Sequence, residues 1–96
     1  MSAYKFDGRY LKRGGTIVAN VQGDNVRKGN SSTTVANIRG DHIRKGSGSS
    51  TEFNLRGDDI RQGSGSSRIA QMRDVDKDID GPGRVVKAAL WLYFVR

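Results

Sequence analysis

Apolar and polar positions alternate along most of this chain, and the alternation restarts at a fixed interval. Three stretches align without gaps at a period of 17: Val21-Gln22-Gly23-Asp24-Asn25-Val26-Arg27-Lys28-Gly29, Ile38-Arg39-Gly40-Asp41-His42-Ile43-Arg44-Lys45-Gly46 and Leu55-Arg56-Gly57-Asp58-Asp59-Ile60-Arg61-Gln62-Gly63. Upstream, Phe6-Asp7-Gly8-Arg9-Tyr10-Leu11-Lys12-Arg13-Gly14 fits the same frame with a linker two residues shorter. Downstream, Ile69-Ala70-Gln71-Met72 opens a fifth copy whose second half departs from the pattern, with Ile79 the nearest match to its second apolar position. Self-similarity at a short fixed period marks a repeat architecture.

Each copy predicts a β-hairpin. A Gly-Asp pair between two alternating runs is a two-residue loop, and glycine in its first position favours a type II′ turn. With Gly40-Asp41 as the loop, Arg39 faces His42, Ile38 faces Ile43 and Asn37 faces Arg44; strand alternation then puts Ile38 and Ile43 on one face with Ala36. The same construction pairs Phe6 with Leu11, Val21 with Val26 and Leu55 with Ile60. The expected hairpin units span about 4–14, 17–29, 34–46, 51–63 and 68–80. One hairpin cannot bury its apolar face alone, so the units must gather around a shared core. The spacers Asn30-Ser31-Ser32, Ser47-Gly48-Ser49-Ser50 and Ser64-Gly65-Ser66-Ser67 recur at one phase and therefore read as joining loops rather than free linker.

After Gly81-Pro82-Gly83 the pattern changes to an apolar segment over 84–95. Ala88, Ala89, Leu90 and Leu92 favour helix, while Tyr93, Phe94 and Val95 favour strand, which predicts a short helix running into an extended tail. It holds most of the large side chains and is expected to plug the array. The predicted fold is thus one mainly β domain over residues 1–96: about five hairpin repeats around a pseudo-symmetric axis, closed by a C-terminal apolar helix/strand segment.

The tandem Gly-Asp-x-Ile-Arg-x-Gly units, the Gly-Ser spacers and the closing Ala88-Ala89-Leu90-Trp91-Leu92-Tyr93-Phe94-Val95 together resemble the bacterial β-flower proteins, in particular the five-fold form. The resemblance covers nearly the whole chain. It implies hairpin petals around a central axis and no established activity, and it carries no catalytic residue across. The departure is the fifth unit, where Asp74 to Asp80 replaces the usual turn.

Composition adds limits. Val, Ile, Leu and Phe supply only 21 of 96 residues, close to the level at which chains stay disordered, so periodicity is the argument for folding. The absence of cysteine excludes disulfides and thiol metal sites. Residues 1–15 are polar and basic without the apolar stretch of a signal peptide, so the expectation is cytoplasmic by default. The apolar run 88–95 is far too short to span a bilayer.

The net charge of +7 sits in residues 1–73, with 13 Lys/Arg against 6 Asp/Glu; residues 74–96 carry four of each. Two basic rows recur with the repeat: Arg27, Arg44 and Arg61, extended by Lys12, and Arg39, Arg56 and Arg73. Stacked around an array they would form a stripe suited to a polyanion, either nucleic acid or an acidic glycan. Asp24, Asp41 and Asp58 recur beside them and no aromatics are interleaved for base stacking, so a solvated, partly balanced face is the reading preferred for the same residues.

Other motifs are weaker. Asp76, Asp78 and Asp80 followed by Gly81 match the first half of a calcium loop. The second half fails, with Arg84 at position 9 and Lys87 in place of the bidentate glutamate at position 12, so an acidic turn before the last helix is the better account of the run. No other cofactor is expected. Arg39-Gly40-Asp41 and Arg56-Gly57-Asp58 spell the integrin tripeptide at hairpin tips, but the repeat explains each letter separately. His42, the single histidine, stands where sister units have Asn25 and Asp59 and reads as exposed. With no catalytic constellation, the sequence predicts a non-enzymatic structural or interaction module, with polyanion binding as the alternative. As an interaction module its partner would be another protein or a second copy of the chain; in the alternative it is a polyanion.

Overall fold

Four hairpins form where the Gly-Asp frame puts them. The computed structural model describes residues 4–46, 48, 50–63 and 65–95. The hairpins are β1 (Tyr4–Phe6) with β2 (Tyr10–Arg13), β3 (Thr16–Gln22) with β4 (Asn25–Lys28), β5 (Thr34–Arg39) with β6 (His42–Lys45), and β7 (Thr51–Arg56) with β8 (Asp59–Gln62). Phe6 lies opposite Leu11, Val21 opposite Val26, Ile38 opposite Ile43 and Leu55 opposite Ile60. Gly40 takes a φ of +58° while Asp41 stays on the negative side, as a type II′ turn demands. In every hairpin the second apolar residue is wholly buried, whereas Val21 and Ile38 in the first position are half-buried against the core.

All strands join one sheet in the order β10-β1-β2-β3-β4-β5-β6-β7-β8-β9. Between hairpins the register slips by one residue at the same place each time, between Leu11 and Lys12, Val26 and Arg27, Ile43 and Arg44, and Ile60 and Arg61. The extra residues on the facing strands are Val18, Val35, Glu52 and Ile69. A bulge bends its strand and increases local twist, so one bulge per unit curls the sheet around its apolar face. The carbonyls of Val18, Val35 and Glu52 accept from the N–H of Gly29, Gly46 and Gly63 at 2.7–2.8 Å, which keeps the carbonyls of these three bulges satisfied. Units are also tied tip to strand: the N–H groups of Ile38, Leu55 and Met72 donate to the turn carbonyls of Asp24, Asp41 and Asp58, each at 2.8 Å.

A row of asparagines fixes the spacers. Asn20, Asn37 and Asn54, 17 residues apart, use their side-chain amides to hold the carbonyls of Gly29 and Ser31, Gly46 and Gly48, and Gly63 and Gly65. The equivalent residue of the first unit is Lys5, and there the linker is the shorter Gly14-Gly15.

The fifth unit is not a hairpin. β9 (Arg68–Gln71) pairs with β8, but the chain then enters α1 (Met72–Asp78), followed by β10 (Ile79–Asp80). The 17-residue phase puts Asp74-Val75 where sister units have Gly-Asp, so no glycine is present to take the positive φ. Asp74 instead accepts the backbone N–H of Gln71 at 3.0 Å and starts a helix. Ile79 is buried, yet its strand partner is Tyr4, across a parallel ladder that also sets Lys5 beside Asp80. Strand alternation leaves β9 and β10 running in the same sense, with α1 as the return between them. Immediately afterwards Gly81, at φ +139°, passes so close to the Phe6 carbonyl that a Cβ there would collide with it.

The C-terminal segment fills the curled sheet, but its extended tail does not exist. α2 (Val85–Leu90) continues directly into a π-helix, Trp91–Val95. A lone strand inside the sheet would leave its backbone groups unpaired, and a helix satisfies them internally, so tertiary context overrides the strand preference of Tyr93, Phe94 and Val95. Ala88, Ala89 and Leu90 are completely buried against β4, β5 and β6. Three polar anchors fix this plug. Lys87, 5% exposed, reaches Asp76 at 2.7 Å and the Gly81 carbonyl at 2.9 Å with its ammonium; the Trp91 indole N–H donates to Asp78 at 2.8 Å; and the Tyr93 hydroxyl donates to Glu52. The Tyr93 ring meets Phe53 edge-on at 5.9 Å.

Candidate polyanion interface

Because side chains alternate, the face opposite the plug carries the polar partners of each hairpin. Asn20 lies across from Arg27, Asn37 from Arg44 and Asn54 from Arg61; Arg39 faces His42 and Arg56 faces Asp59. The two basic rows therefore share one face. Arg27, Arg44 and Arg61 stand at the bulges and are half-buried, each with its Nε shielded from solvent and without a hydrogen-bond partner. Arg27 donates through Nη1 to Gln22 at 2.6 Å. Arg39 and Arg56 are exposed at strand ends, while Arg73 is displaced onto the first turn of α1.

Adjacent hairpins leave grooves between them on this face. One, of about 360 Å³, brings Arg56 and Arg61 together with Asp41, His42 and Asn54. One repeat further on, a groove of about 270 Å³ is lined by the equivalents Asp58, Gln71, Met72 and Arg73, joined by Asp76 and Arg84. Arg84 was not singled out by the repeat. It reaches back to the Asp58 carboxylate at 3.3 Å and to the Gly57 carbonyl, so this tip is tied down while Arg39-Gly40-Asp41 stands exposed. Arg68 and Asp59 form a further partly exposed ion pair at 3.5 Å. His42 is exposed.

The acidic run does not converge. Asp76 and Asp78 lie on α1 and Asp80 on β10, and the first two are engaged by Lys87 and Trp91. Among the described residues, no three His, Cys, Asp or Glu side chains are grouped to hold a metal.

A third groove, missed in the sequence, opens beside the first hairpin. It is lined by Lys5, Phe6, Asp7, Tyr10, Lys12, Asp80 and Gly81, with a volume of about 360 Å³. The Tyr10 ring lies 5.6 Å from the Arg9 guanidinium and 5.9 Å from the Lys12 ammonium, and Arg13 lies 5.6 Å from the ring of Tyr4. Asp7 accepts the backbone N–H groups of Arg9 and Tyr10 at 2.9 and 2.8 Å, and the Tyr10 and Arg9 amides hold its carboxyl below the usual value. The signal was available: Tyr10 replaces Asn25, His42 and Asp59 of the sister units.

A family model described as a 6-fold β-flower protein matches residues 2–80. The chain belongs to this β-flower family. The family's six-fold description corrects the five-fold form expected from the sequence. In this β-flower the repeat reads as four complete hairpins plus β9, with α1 and β10 completing the circuit, so counting sequence copies does not give the family's symmetry. No curated protein and no solved structure matches the chain. Among the described residues of this β-flower, no helix is long and apolar enough to cross a membrane.

Proposed function

We propose that this β-flower is a non-enzymatic interaction module whose polar face binds polyanions, nucleic acid or acidic glycan, through its arginine rows. The observation that carries this reading is the phase-locked set Arg27, Arg44 and Arg61. Their stems are ordered by burial at the bulges, where each Nε is shielded from solvent, and they share a face with Arg39 and Arg56. A guanidinium with its stem already ordered loses less entropy on meeting a phosphate or sulfate. The turn carboxylates offset only part of the charge, leaving +7 over residues 1–73. His42 stands exposed beside Arg56 and Arg61 rather than in an enclosed site, which favours binding over catalysis.

The test is binding of DNA and of heparin against salt concentration. Replacing Arg27, Arg44 and Arg61 together by Gln is expected to reduce binding to background, with a salt slope shallower by about 2–3 if each arginine meets one phosphate. No binding of either polymer at low salt overturns the proposal.

A further inference from the structure

Resting on that reading, we infer that the polyanion is single-stranded nucleic acid, with one base stacked on Tyr10 and its phosphates led along the row from Lys12 to Arg27 and Arg44. Acidic glycans and single-stranded nucleic acids both satisfy arginines, but only the latter bring a flat π-face, and stacking on exposed aromatic rings is how such strands are held without sequence preference. Tyr10 is the aromatic side chain that the fold puts on the basic face. It is half-buried, projects from β2 beside Lys12 and lies across the ladder from Asn20. The exposed Arg9 guanidinium and Lys12 ammonium lie over its ring, 5.6 and 5.9 Å from the centroid, so a base that stacks there takes the place of a cation on the ring and has both groups within reach of its phosphates.

The same hairpin keeps an arrangement that folding alone disfavours. Lys5 and Lys12 are directly opposite each other across β1 and β2, a like-charge pair that costs stability in an antiparallel sheet. Asp80 beside Lys5, and Asp7 within Coulombic reach of Lys12, offset part of this. The groove they border, about 360 Å³, falls in the size range of small-ligand sites. A bound phosphate would relieve the lysine pair, and Lys12 already belongs to the row that continues through Arg27.

The experiment compares three probes on the full chain at one low salt concentration: oligothymidylate of about 15 nucleotides, a duplex of the same length, and a heparin oligosaccharide. Tyr10→Ala is expected to weaken oligothymidylate binding roughly 5- to 150-fold and leave heparin binding within about twofold, while Tyr10→Phe retains both. A strand carrying 5-iodouracil is expected to photocrosslink to Tyr10. Unchanged oligothymidylate affinity in Tyr10→Ala, an equal loss for heparin, or a wild-type chain that binds only heparin or duplex each overturns the inference. The arginine reading survives all three, and fails only if the Arg27/Arg44/Arg61 variant still binds or if no probe binds at all.

Discussion

The hydroxyl of Tyr93, in the π-helix, donates to Glu52, the acidic member of the bulge row Val18, Val35, Glu52 and Ile69. Burial first, and then the bond to this carboxylate, push the Tyr93 hydroxyl well above its ordinary value of 10.0. The folded chain thus holds a proton that the unfolded chain releases. The contribution is complete below about pH 10 and lost as pH rises further. Tyr93→Phe is expected to melt below wild type at neutral pH, and the gap in Tm should narrow above about pH 10. An equal gap at both ends of that range would contradict the linkage.

The asparagine clamps should have graded effects. Asn20 is buried and Asn37 half-buried, and each holds two spacer carbonyls. Replacing either by Ala removes a donor from carbonyls that depend on it, at a cost of about 1–3 kcal/mol. Urea unfolding should rank Asn20→Ala as more damaging than Asn37→Ala; the reverse order would argue that the spacers hold themselves.

Gly81→Ala tests the join of β10 to β1. A methyl group there meets the Phe6 carbonyl, and φ of +139° is strained for any L-residue, so a loss of at least about 1–3 kcal/mol is expected. Gly15→Ala, with open space and no positive φ, is the control and should lie within about 0.5 kcal/mol of wild type.

Deleting residues 88–96 removes Ala88, Ala89, Leu90 and Leu92, all buried, together with the partners of Asp78 and Glu52. Cooperative thermal unfolding should disappear. A truncated chain that still melts sharply would show that the hairpins hold their own core.

Millimolar calcium or EDTA should leave Tm unchanged. Binding at Asp76, Asp78 and Asp80 would require Asp76 to leave Lys87 and Asp78 to leave the Trp91 indole. A Tm that rises with calcium would reveal such a rearrangement.

What the sequence made legible was set by local rules acting on repeated residues. The turn at Gly40-Asp41 and the pairing of Ile38 with Ile43 follow from loop length and alternation, and the structure has them as expected. The bulges were hidden because an extra residue such as Val35 looks like any other strand residue until its neighbours are paired. The asparagine row was visible as a period but not as chemistry, since its partners are backbone carbonyls in loops that lack any pattern of their own. The tail over Tyr93, Phe94 and Val95 is helical against its local strand preference because its conformation is decided by the lack of a strand to pair with, which is a property of the whole fold. On the candidate face the arginine rows were evident from spacing, whereas the groove beside Tyr10 is completed by Asp80 and Gly81 at the end of β10, and Arg84 meets Asp58 and Gly57 only across the fold.

A barrel whose last strand bonds to its first ties strand number to circumference and stagger, so gaining or losing a hairpin means rebuilding every ladder. Here a helix stands at the seam between β9 and β10, and no ladder crosses it among the described residues. Duplicating one 17-residue unit would lengthen the sheet by two strands while leaving each existing pairing intact. The strain would fall on the fit of α2 within a wider bowl. Petal number in such a molecule is an evolvable quantity, limited by what the plug can fill rather than by the hydrogen bonds of the rim.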